Sequence, residues 1–525
     1  MRALDSLAWA ELCAQSSGIM SAEADRMTTA DQARIHYDRG VELEERGKLA
    51  EAVDELTESL RIDPKSAACH ERRGSCLAEL GRYEDALADA EEALSLDPND
   101  PGIIYLLGHV LHDLGRNDEA LDVGKRLLEL NPGEAYTHYN LGLTLADLER
   151  YSEAAEQFRE AIRLNPDDAD YHNRLASALE ELGQDEEALA ESREAVRLKP
   201  EDADHQFLLG YMLDELGQHE EAITAYHESI RLEDHQAVRY NLGNSLRALG
   251  RLGEAADEYR QAIRQKPERG DYHYWLGDVL QGLNRREESA AAYAESVRLD
   301  PDDYDARYAL AWAYEDLERW EESATEYAEA ARLEPDNWWP HFNRGNVFQK
   351  QDRHEEAIAE YREAVRLNPD DSTTHDNLGY SLRELGRDEQ CADEYAEAVR
   401  LDPAEPTSHY NLAWAYERLG RLDEAMTEYR EAARLDPDDS WARYNLGCVF
   451  QKQERHEEAI AEFREAVRLN PADADAHFNL GESLHALGQL KEAEQAYRDA
   501  ARLDPDNPEA TARLNDLLGE TSMEG

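Results

Sequence analysis

Small and apolar residues recur along this chain with the spacing of short amphipathic helices. In the segment that begins at Ala135, they occupy positions 7, 8 and 11, which share a face with His138 at position 4, and then positions 20, 24, 27 and 28. Residues three and four apart share one face of an α-helix, so the segment predicts two helices that each bury one face. Glycine or a polar residue at position 15 separates the two helices, as Gly47, Gly81 and Gly420 do in other segments.

This pattern returns about every 34 residues, in fourteen copies. A proline closes each copy at position 32, from Pro64 to Pro505, except in the sixth copy, which is one residue short. A period of this length is typical of solenoids, in which stacked helix pairs share one continuous core. The sequence therefore predicts an all-α solenoid, with an altered turn between Glu233 and Ala237.

The copies divide the chain into four predicted parts. We predict an N-terminal extension, partly disordered, at residues 1–32 and repeats 1–6 at residues 33–235. Repeats 7–14 follow at 236–507, and a capping helix and tail at 508–525. The open end of a solenoid core needs a cover. We expect a helix over 508–518 to supply it, through Leu514, Leu517 and Leu518.

The pattern resembles the tetratricopeptide repeat family. Its signature is a large residue at position 4, Leu-Gly at 7 and 8, a large residue at 11, small residues at 20 and 27, an aromatic at 24 and a closing proline. The match covers about residues 33–507. It departs at position 4, where the family favours tryptophan and this chain often has histidine, as at His172 and His375. The resemblance implies a right-handed superhelix whose first helices line a concave groove.

Charge and cysteine content restrict the partners and the compartment. Acidic residues outnumber basic ones by 117 to 56, which gives a net charge of −61. Nucleic acids and anionic membranes bind basic surfaces, so we expect neither as a partner, whereas basic protein segments are favoured. The five cysteines are an odd number in a large chain, which favours a reduced, cytoplasmic protein. No run of 18 apolar residues predicts a membrane-spanning helix, so membrane insertion is not expected.

No catalytic motif stands out. A phosphate-binding loop, a nucleophile elbow and a pair of catalytic acids are all missing from the sequence, so we predict no enzyme activity and no cofactor. His109 and His112 lie three residues apart beside Asp113, on one helix face. They could ligate a metal or could be solvated polar residues, and we predict no metal site.

The face of each first helix opposite its core residues carries positions 2, 5, 6, 9, 12 and 13. In repeats 9–14, this face combines tryptophan, asparagine and basic residues. Tryptophan would anchor a partner, asparagine would hold an extended backbone, and Lys and Arg would select acidic groups. The predicted partner-binding residues are Tyr308, Trp312, Trp339, Phe342, Asn343, Asn346, Lys350, Asn377, Arg383, Tyr410, Asn411, Trp414, Arg418, Trp441, Tyr444, Asn445, Lys452 and Asn479.

Structural packing is the alternative for many of these residues. A Tyr-Asn pair at positions 5 and 6 is close to the average sequence of the family, and tryptophan can pack between neighbouring first helices. Early repeats instead carry acidic residues at positions 12 and 13, such as Glu44, Asp113, Asp147 and Glu180. That part of the groove is expected to prefer a basic segment.

Repeats 9–11 and 12–14 are related at a spacing of 102 residues. The segment HEEAIAEYREAVRLNP at 354–369 returns as HEEAIAEFREAVRLNP at 456–471. A three-repeat block was duplicated, either without consequence for function or so that one binding site is presented twice. The predicted function is a non-catalytic scaffold that binds an extended peptide or partner protein in the groove. The alternative is a specificity or assembly subunit of a larger enzyme complex.

Overall fold

The computed structural model describes residues 29–506 and 508–523, and every regular element in that part of the chain is an α-helix. The helices follow one another as antiparallel pairs, so the predicted all-α solenoid of helix pairs is confirmed. The first helix begins at Thr29, which places 29–32 in a helix rather than in the predicted extension. The rest of that extension, 1–28, lies outside the described residues.

The chain forms two compact units, of which the first ends at Gln265. It holds the helix pairs of repeats 1–7. Their helices are α1 (Thr29–Glu45), α2 (Leu49–Ile62), α3 (Ala67–Glu79), α4 (Tyr83–Leu96), α5 (Pro101–Asp113), α6 (Asn117–Leu130), α7 (Ala135–Asp147), α8 (Tyr151–Leu164), α9 (Ala169–Glu180), α10 (Asp185–Leu198), α11 (Ala203–Glu215), α12 (His219–Leu232), α13 (Gln236–Ala248) and α14 (Leu252–Gln265).

The second unit begins at Lys266 and holds repeats 8–14 with one further helix. Its helices are α15 (Gly270–Gly282), α16 (Arg286–Leu299), α17 (Tyr304–Asp316), α18 (Trp320–Leu333), α19 (Trp339–Lys350), α20 (His354–Leu367), α21 (Ser372–Glu384), α22 (Asp388–Leu401), α23 (Pro406–Arg418), α24 (Leu422–Leu435), α25 (Ser440–Lys452), α26 (His456–Leu469), α27 (Ala474–Ala486), α28 (Leu490–Leu503) and α29 (Pro508–Met523).

A glycine and an aromatic ring hold the two helices of most repeats together. A Cβ atom added to Gly243 would lie 2.6 Å from the ring of Tyr259, and one added to Gly447 would lie 2.7 Å from the ring of Phe463. Both rings are fully buried. The first helix therefore needs a small residue at position 8, glycine here and alanine at Ala311 and Ala413, because the ring at position 24 occupies the space of a larger side chain.

The turn inside each repeat has left-handed backbone at position 15. Gly420 has φ of +74°, and the amide of Arg421 donates to the carbonyl of Tyr416, which closes the end of α23. Glycine adopts this conformation without steric cost, which explains its frequency at this position. The predicted break between the two helices is confirmed.

Histidine at position 4 ties several repeats, among them repeats 5 and 11, to the repeat before. In repeat 5, the His172 ring lies 2.6 Å from Glu191 through Nδ1, and Nε2 donates to the carbonyl of Pro166 at 3.1 Å. His375 makes the same two contacts, with Glu394 and with the closing proline of its preceding repeat. The hydrogen bond to Glu191 raises the pKa of His172 against the effect of burial. Burial lowers the pKa of His375, but the bond to Glu394 outweighs it and the net shift is upward.

Stability is expected to fall as the pH rises above about 6.5. The pKa values of folded His172 and His375 lie above that of unfolded histidine, about 6.5, so their contribution is complete below that pH and is lost as the pH passes the folded values. Thermal unfolding at fixed ionic strength measures this loss. Repeat 6 already has Gln206 at position 4, bonded to the carbonyl of Pro200. A double variant, His172→Gln with His375→Gln, should show a smaller fall, and an identical fall would contradict the assignment.

The turn between α12 and α13 is altered, as predicted. It has three residues instead of four, because α12 ends at Leu232 and α13 begins at Gln236. Position 4 of repeat 7 is Arg239, whose guanidinium lies 2.6 Å from both Asp234 and Glu258. Ion pairs therefore replace the histidine–proline link at the copy that lacks its proline.

The predicted capping helix is present but longer than expected, from Pro508 to Met523. Leu517 is 1% exposed and belongs to the core of the last repeats, and Leu514 packs against that core. Leu518 was predicted to cover the last repeat as well, and this is wrong, because it is 38% exposed. On the helical wheel Leu514 lies between the other two, about 60° from Leu517 and about 40° from Leu518 on the opposite side, and α29 turns its Leu517 side toward the core.

Leu517→Ala should lower the free energy of unfolding of the terminal repeats by about 2–4 kcal/mol, since it removes a fully buried leucine. Leu518→Ala is the matched control, and we expect a change within about 0.5 kcal/mol. Denaturant unfolding followed by circular dichroism, with hydrogen exchange to locate the affected helices, measures both values. Equal effects of the two substitutions would show that α29 is not the cap.

Candidate functional site

Three of the four predicted tryptophans on the first helices of repeats 9–14 are exposed. Trp312 and Trp339 are 48% exposed and Trp441 is 60% exposed. Trp414 is partly buried, with the guanidinium groups of Arg383 and Arg418 at 5.2 and 5.6 Å from its ring centre. Packing therefore accounts for Trp414, whereas the other three present apolar surface of the kind that anchors protein interfaces.

The exposed ring of Trp339 belongs to an aromatic cluster at the start of α19. Trp338 stacks on it with ring centres 4.3 Å apart, and Phe342 lies 5.9 Å from it in an edge-to-face arrangement. Trp338 was not among the predicted site residues. Its place next to Trp339 in the sequence was the available signal.

The aromatic residues at position 5 are partly core residues. Tyr308 and Tyr410 lie 5.5 and 5.6 Å from the buried rings of Tyr327 and Tyr429, and the predicted residues Phe342 and Tyr444 contact the rings of their own repeats in the same way. One side of each position-5 ring is thus fixed by packing. This holds the remaining edge in a set orientation on the first-helix face.

The asparagines at position 6 connect neighbouring repeats. Asn343 donates from Nδ2 to the Tyr308 hydroxyl at 2.7 Å and to the Trp339 carbonyl at 3.1 Å. Asn445 does the same with Tyr410 and Trp441, at 3.0 and 3.1 Å. Both amide protons are then used, and the side-chain carbonyl is the group left to accept a hydrogen bond. Asn479 repeats this arrangement with Tyr444 and the Asp475 carbonyl.

Asn346, Asn377 and Asn411 lie outside that arrangement. Asn346 accepts at Oδ1 from the Tyr361 hydroxyl at 2.7 Å and from Asn377 at 3.1 Å. Asn377 and Asn411 line an open depression of about 440 Å³. Between the links made by Asn343 and by Asn445, the first-helix face is therefore polar and recessed.

Each predicted lysine is paired with a glutamate of the preceding repeat. Lys350 Nζ lies 2.6 Å from Glu315 Oε1, and Lys452 Nζ lies 2.6 Å from Glu417 Oε1. The lysine side chains are 51% and 55% exposed, and the glutamates are mostly buried. The positive charge that stands out in the sequence is thus largely balanced where it lies.

Arg383 and Arg418 are also held by neighbours. The Arg383 guanidinium lies 4.5 Å from the ring centre of Tyr380 and 3.0 Å from the carboxylate of Glu384, in addition to its contact with Trp414. Arg418 lies 3.4 Å from Asp388. Tyr380, which is 38% exposed, was not predicted, although it occupies position 9 like Trp312 and Trp414.

The same local arrangement occurs twice in the second unit, 102 residues apart. The Tyr327 hydroxyl donates to Glu315, and the Tyr429 hydroxyl donates to Glu417, at 3.3 and 3.0 Å. Each copy thus contains a buried tyrosine, a glutamate, a lysine, an asparagine bonded to tyrosine, and an exposed tryptophan. Its members are Tyr308, Glu315, Tyr327, Trp339, Asn343 and Lys350 in one copy, and Tyr410, Glu417, Tyr429, Trp441, Asn445 and Lys452 in the other. We call these the first and second tryptophan sites.

The second tryptophan site borders a depression of about 460 Å³. It is lined by Pro406, Thr407, Tyr410, Asp436, Asp439 and Trp441. The exposed tryptophan and the edge of Tyr410 supply apolar surface, and the two aspartates supply hydrogen-bond acceptors. A segment seated here would contact one apolar wall and one acidic rim.

The histidines of repeat 3 bind neighbouring carboxylates. His109 Nδ1 lies 3.2 Å from Asp113, and His112 Nε2 lies 2.6 Å from Asp147. Among the residues that the structure describes, no three side chains of the metal-ligating types are grouped to hold an ion. Within the same part of the chain, no helix is long and apolar enough to cross a membrane.

Models of the tetratricopeptide repeat match most of the chain. The matched segments are 37–102, 77–139, 139–201, 186–237, 240–303, 277–340, 308–372 and 444–508, and a second TPR repeat model matches 379–420 and 418–454. The chain belongs to the tetratricopeptide repeat family. Members of this family are typically non-catalytic scaffolds, and the repeat fold of this chain supports a protein-interaction scaffold in general.

Solved structures of the same fold are only distantly similar. MamA of Desulfovibrio magneticus RS-1 is 25% identical over 32% of this chain and 96% of that chain, with a TM-score of 0.31. Cut9, in the Cut9–Hcn1 hetero-tetramer of the APC/C, is 15% identical over 89% of this chain and 98% of that chain, with a TM-score of 0.35. YrrB is 22% identical over 36% and 96%, with a TM-score of 0.33. No curated protein matches the chain significantly.

Proposed function

We propose that the first-helix face of repeats 9–14 binds extended segments of a partner protein, at the two tryptophan sites. The observation that carries this proposal is the recurrence of one hydrogen-bonded arrangement around an exposed tryptophan. Trp339 and Trp441 occupy equivalent positions, and each main-chain carbonyl receives the amide of the asparagine one turn later. A solvent-exposed tryptophan with fixed surroundings is suited to bury apolar surface at low entropic cost.

The asparagines determine which backbone group the partner presents. Because both amide protons of Asn343 and of Asn445 are donated within the protein, each side chain can offer only its carbonyl oxygen. We therefore infer that a bound segment donates backbone N–H groups to these two oxygens. Extended chains expose such groups at alternate residues, which is the basis of peptide binding along repeat grooves.

The lysines contribute orientation more than affinity. Lys350 and Lys452 each bind one glutamate, and an ammonium group has three protons to donate. An acidic side chain or C-terminal carboxylate of the partner can share the ammonium without displacing that glutamate. Since the glutamate balances the charge, we expect apolar contact with tryptophan to supply most of the binding energy.

The proposal is tested by selection of peptides from a displayed random library on the purified full chain. We expect enriched sequences with an apolar or aromatic residue, and we expect their binding to be weakened by Trp339→Ala and by Trp441→Ala. Ile35→Ala is a control, because Ile35 is 52% exposed but lies in the first unit. Enriched peptides that bind both tryptophan variants as tightly as the wild type would reject the site.

We also propose a protein partner and a cytoplasmic location. The net charge of −61 disfavours nucleic acid and favours a protein partner. Cys69, Cys76 and Cys391 are buried free thiols, which supports a reducing, cytoplasmic location. The alternative, a specificity or assembly subunit of an enzyme complex, predicts that a stoichiometric enzyme copurifies with the chain from its native cell.

A further inference from the structure

Repeat 3 lacks the aromatic ring that fills the space between its two helices. Position 24 of this repeat is Gly124, whereas ten other repeats have tyrosine or phenylalanine there. Gly108 at position 8 is nevertheless retained. In repeat 4, a Cβ atom at Gly142 would lie 2.6 Å from the Phe158 ring. At Gly108, the nearest atom to such a Cβ is Val123 Cγ1, at 3.4 Å, so no ring covers this glycine.

Neighbouring repeats without the ring fill the same space with leucine. A Cβ atom at Gly40 in repeat 1 would lie 2.7 Å from Leu56, and one at Gly74 in repeat 2 would lie 2.9 Å from Leu106. In repeat 3, the space remains as a cavity of about 280 Å³ between α5, α6 and α7. A dry apolar cavity of about 150 Å³ admits benzene, so this volume is sufficient for a phenol or an indole.

The walls of the cavity are apolar and its mouth is polar. The walls include Ile104, Leu127, Tyr139 and Leu141, and His109, His112 and Asp113 also line it. Among the described residues that line the cavity there is no lysine or arginine. The carboxylate of Asp113 contacts the ring of His109, and the carboxylate of Asp147 contacts the ring of His112. The negative charge of these two carboxylates makes the mouth suited to a flanking cation.

One buried polar group in the cavity has no partner. Thr137 lines the cavity, is 1% exposed, and its hydroxyl makes no hydrogen bond among the described residues. A buried hydroxyl without a partner costs free energy unless a ligand or water satisfies it. A phenol entering the cavity would bring its own hydroxyl to the same space.

We propose that this cavity binds a tyrosine side chain of a basic peptide segment. The ring takes the place of the missing position-24 ring over Gly108, its hydroxyl pairs with Thr137, and flanking lysine or arginine side chains meet Asp113 and Asp147. The site lies in the first compact unit and uses none of the residues of the two tryptophan sites. It is therefore a separate point of recognition, and its failure would leave the tryptophan sites unaffected.

The test uses the full chain and three short probes, acetyl-Lys-Tyr-Lys-amide, acetyl-Lys-Ala-Lys-amide and acetyl-Glu-Tyr-Glu-amide. Ligand-observed NMR titration measures each Kd. We expect the first probe to bind at least tenfold more tightly than the other two, and p-cresol to compete with it. Equal affinity for Lys-Tyr-Lys and Lys-Ala-Lys would overturn the proposal, and so would equal affinity for Lys-Tyr-Lys and Glu-Tyr-Glu.

Two substitutions at one position locate the site. Gly124→Phe restores the ring of the other repeats and should weaken Lys-Tyr-Lys binding at least tenfold while raising the melting temperature. Gly124→Ala gains helix propensity without filling the cavity, and it should bind within threefold of the wild type. Tyrosine-dependent binding that survives in Gly124→Phe, or that is lost in Trp339→Ala with Trp441→Ala, would place the ligand elsewhere. If Gly124→Phe does not fold, nuclear Overhauser contacts of bound p-cresol with the methyl groups of Leu141 and Thr137 in the wild type support the site, and their absence places the ligand elsewhere.

Discussion

A chain that carries both Trp339→Ala and Trp441→Ala should bind a library-selected peptide at least ~2 kcal/mol more weakly than the wild type, which is about thirtyfold in Kd. Each substitution removes an exposed ring that, in the bound state, covers the peptide and excludes water. The two tryptophans are 48% and 60% exposed in the free chain, so neither substitution opens a core cavity. The melting temperature should therefore change little.

The matched control for this loss is Trp414→Ala. Trp414 lies on the same face but packs between two guanidinium groups, so its removal should lower stability more and affinity less. Fluorescence titration with a labelled peptide measures affinity, and thermal unfolding measures stability. A double variant that keeps wild-type affinity while remaining folded would remove the tryptophans from the site.

The second large effect concerns the rings between paired helices. Phe463→Ala should cost about 3–5 kcal/mol in the free energy of unfolding, because Phe463 is fully buried against Gly447. Denaturant unfolding followed by far-ultraviolet circular dichroism measures the loss. The duplicated repeat offers its own control, since the equivalent ring at position 361 is tyrosine.

Phe463→Tyr should cost much less, about 1 kcal/mol. The Tyr361 hydroxyl donates to Asn346 at 2.7 Å, whereas the equivalent position of repeat 13 is Cys448, a poor acceptor. The added hydroxyl would therefore be buried with an inadequate partner. A larger loss from tyrosine than from alanine would mean that the space around this ring is tighter than the packing indicates.

The helix pairs could be predicted from the sequence because one pattern is repeated. Position 24 is aromatic in ten copies, and each buried ring requires a small residue at position 8. The pairing of α25 with α26 therefore follows from the repeated sequence pattern alone. The short turn at Glu233 was predictable for the same reason, since one residue is missing against a fixed period. The exposure of Leu518 was not, because it depends on how α29 turns against the last repeat.

The charge of the candidate site could not be predicted from single helices. Lys350 lies on α19 and Glu315 on α17, and their contact depends on the offset between successive repeats. The link from Asn343 to Tyr308 also joins two repeats, at a separation of 35 residues. The pattern within one repeat therefore indicates these residues but not their partners, which lie in the preceding repeat. The equal 35-residue separation of Lys452 and Glu417 is the signal that a search for recurring pairs would find.

The most direct test of the central claim is the number of peptides bound by one chain. Isothermal titration calorimetry uses the full chain and a selected peptide, shortened to the minimum length that still binds. Two equivalent tryptophan sites predict a stoichiometry of two peptides per chain, which falls to one with either Trp339→Ala or Trp441→Ala alone. A stoichiometry of one that neither substitution changes would contradict the account.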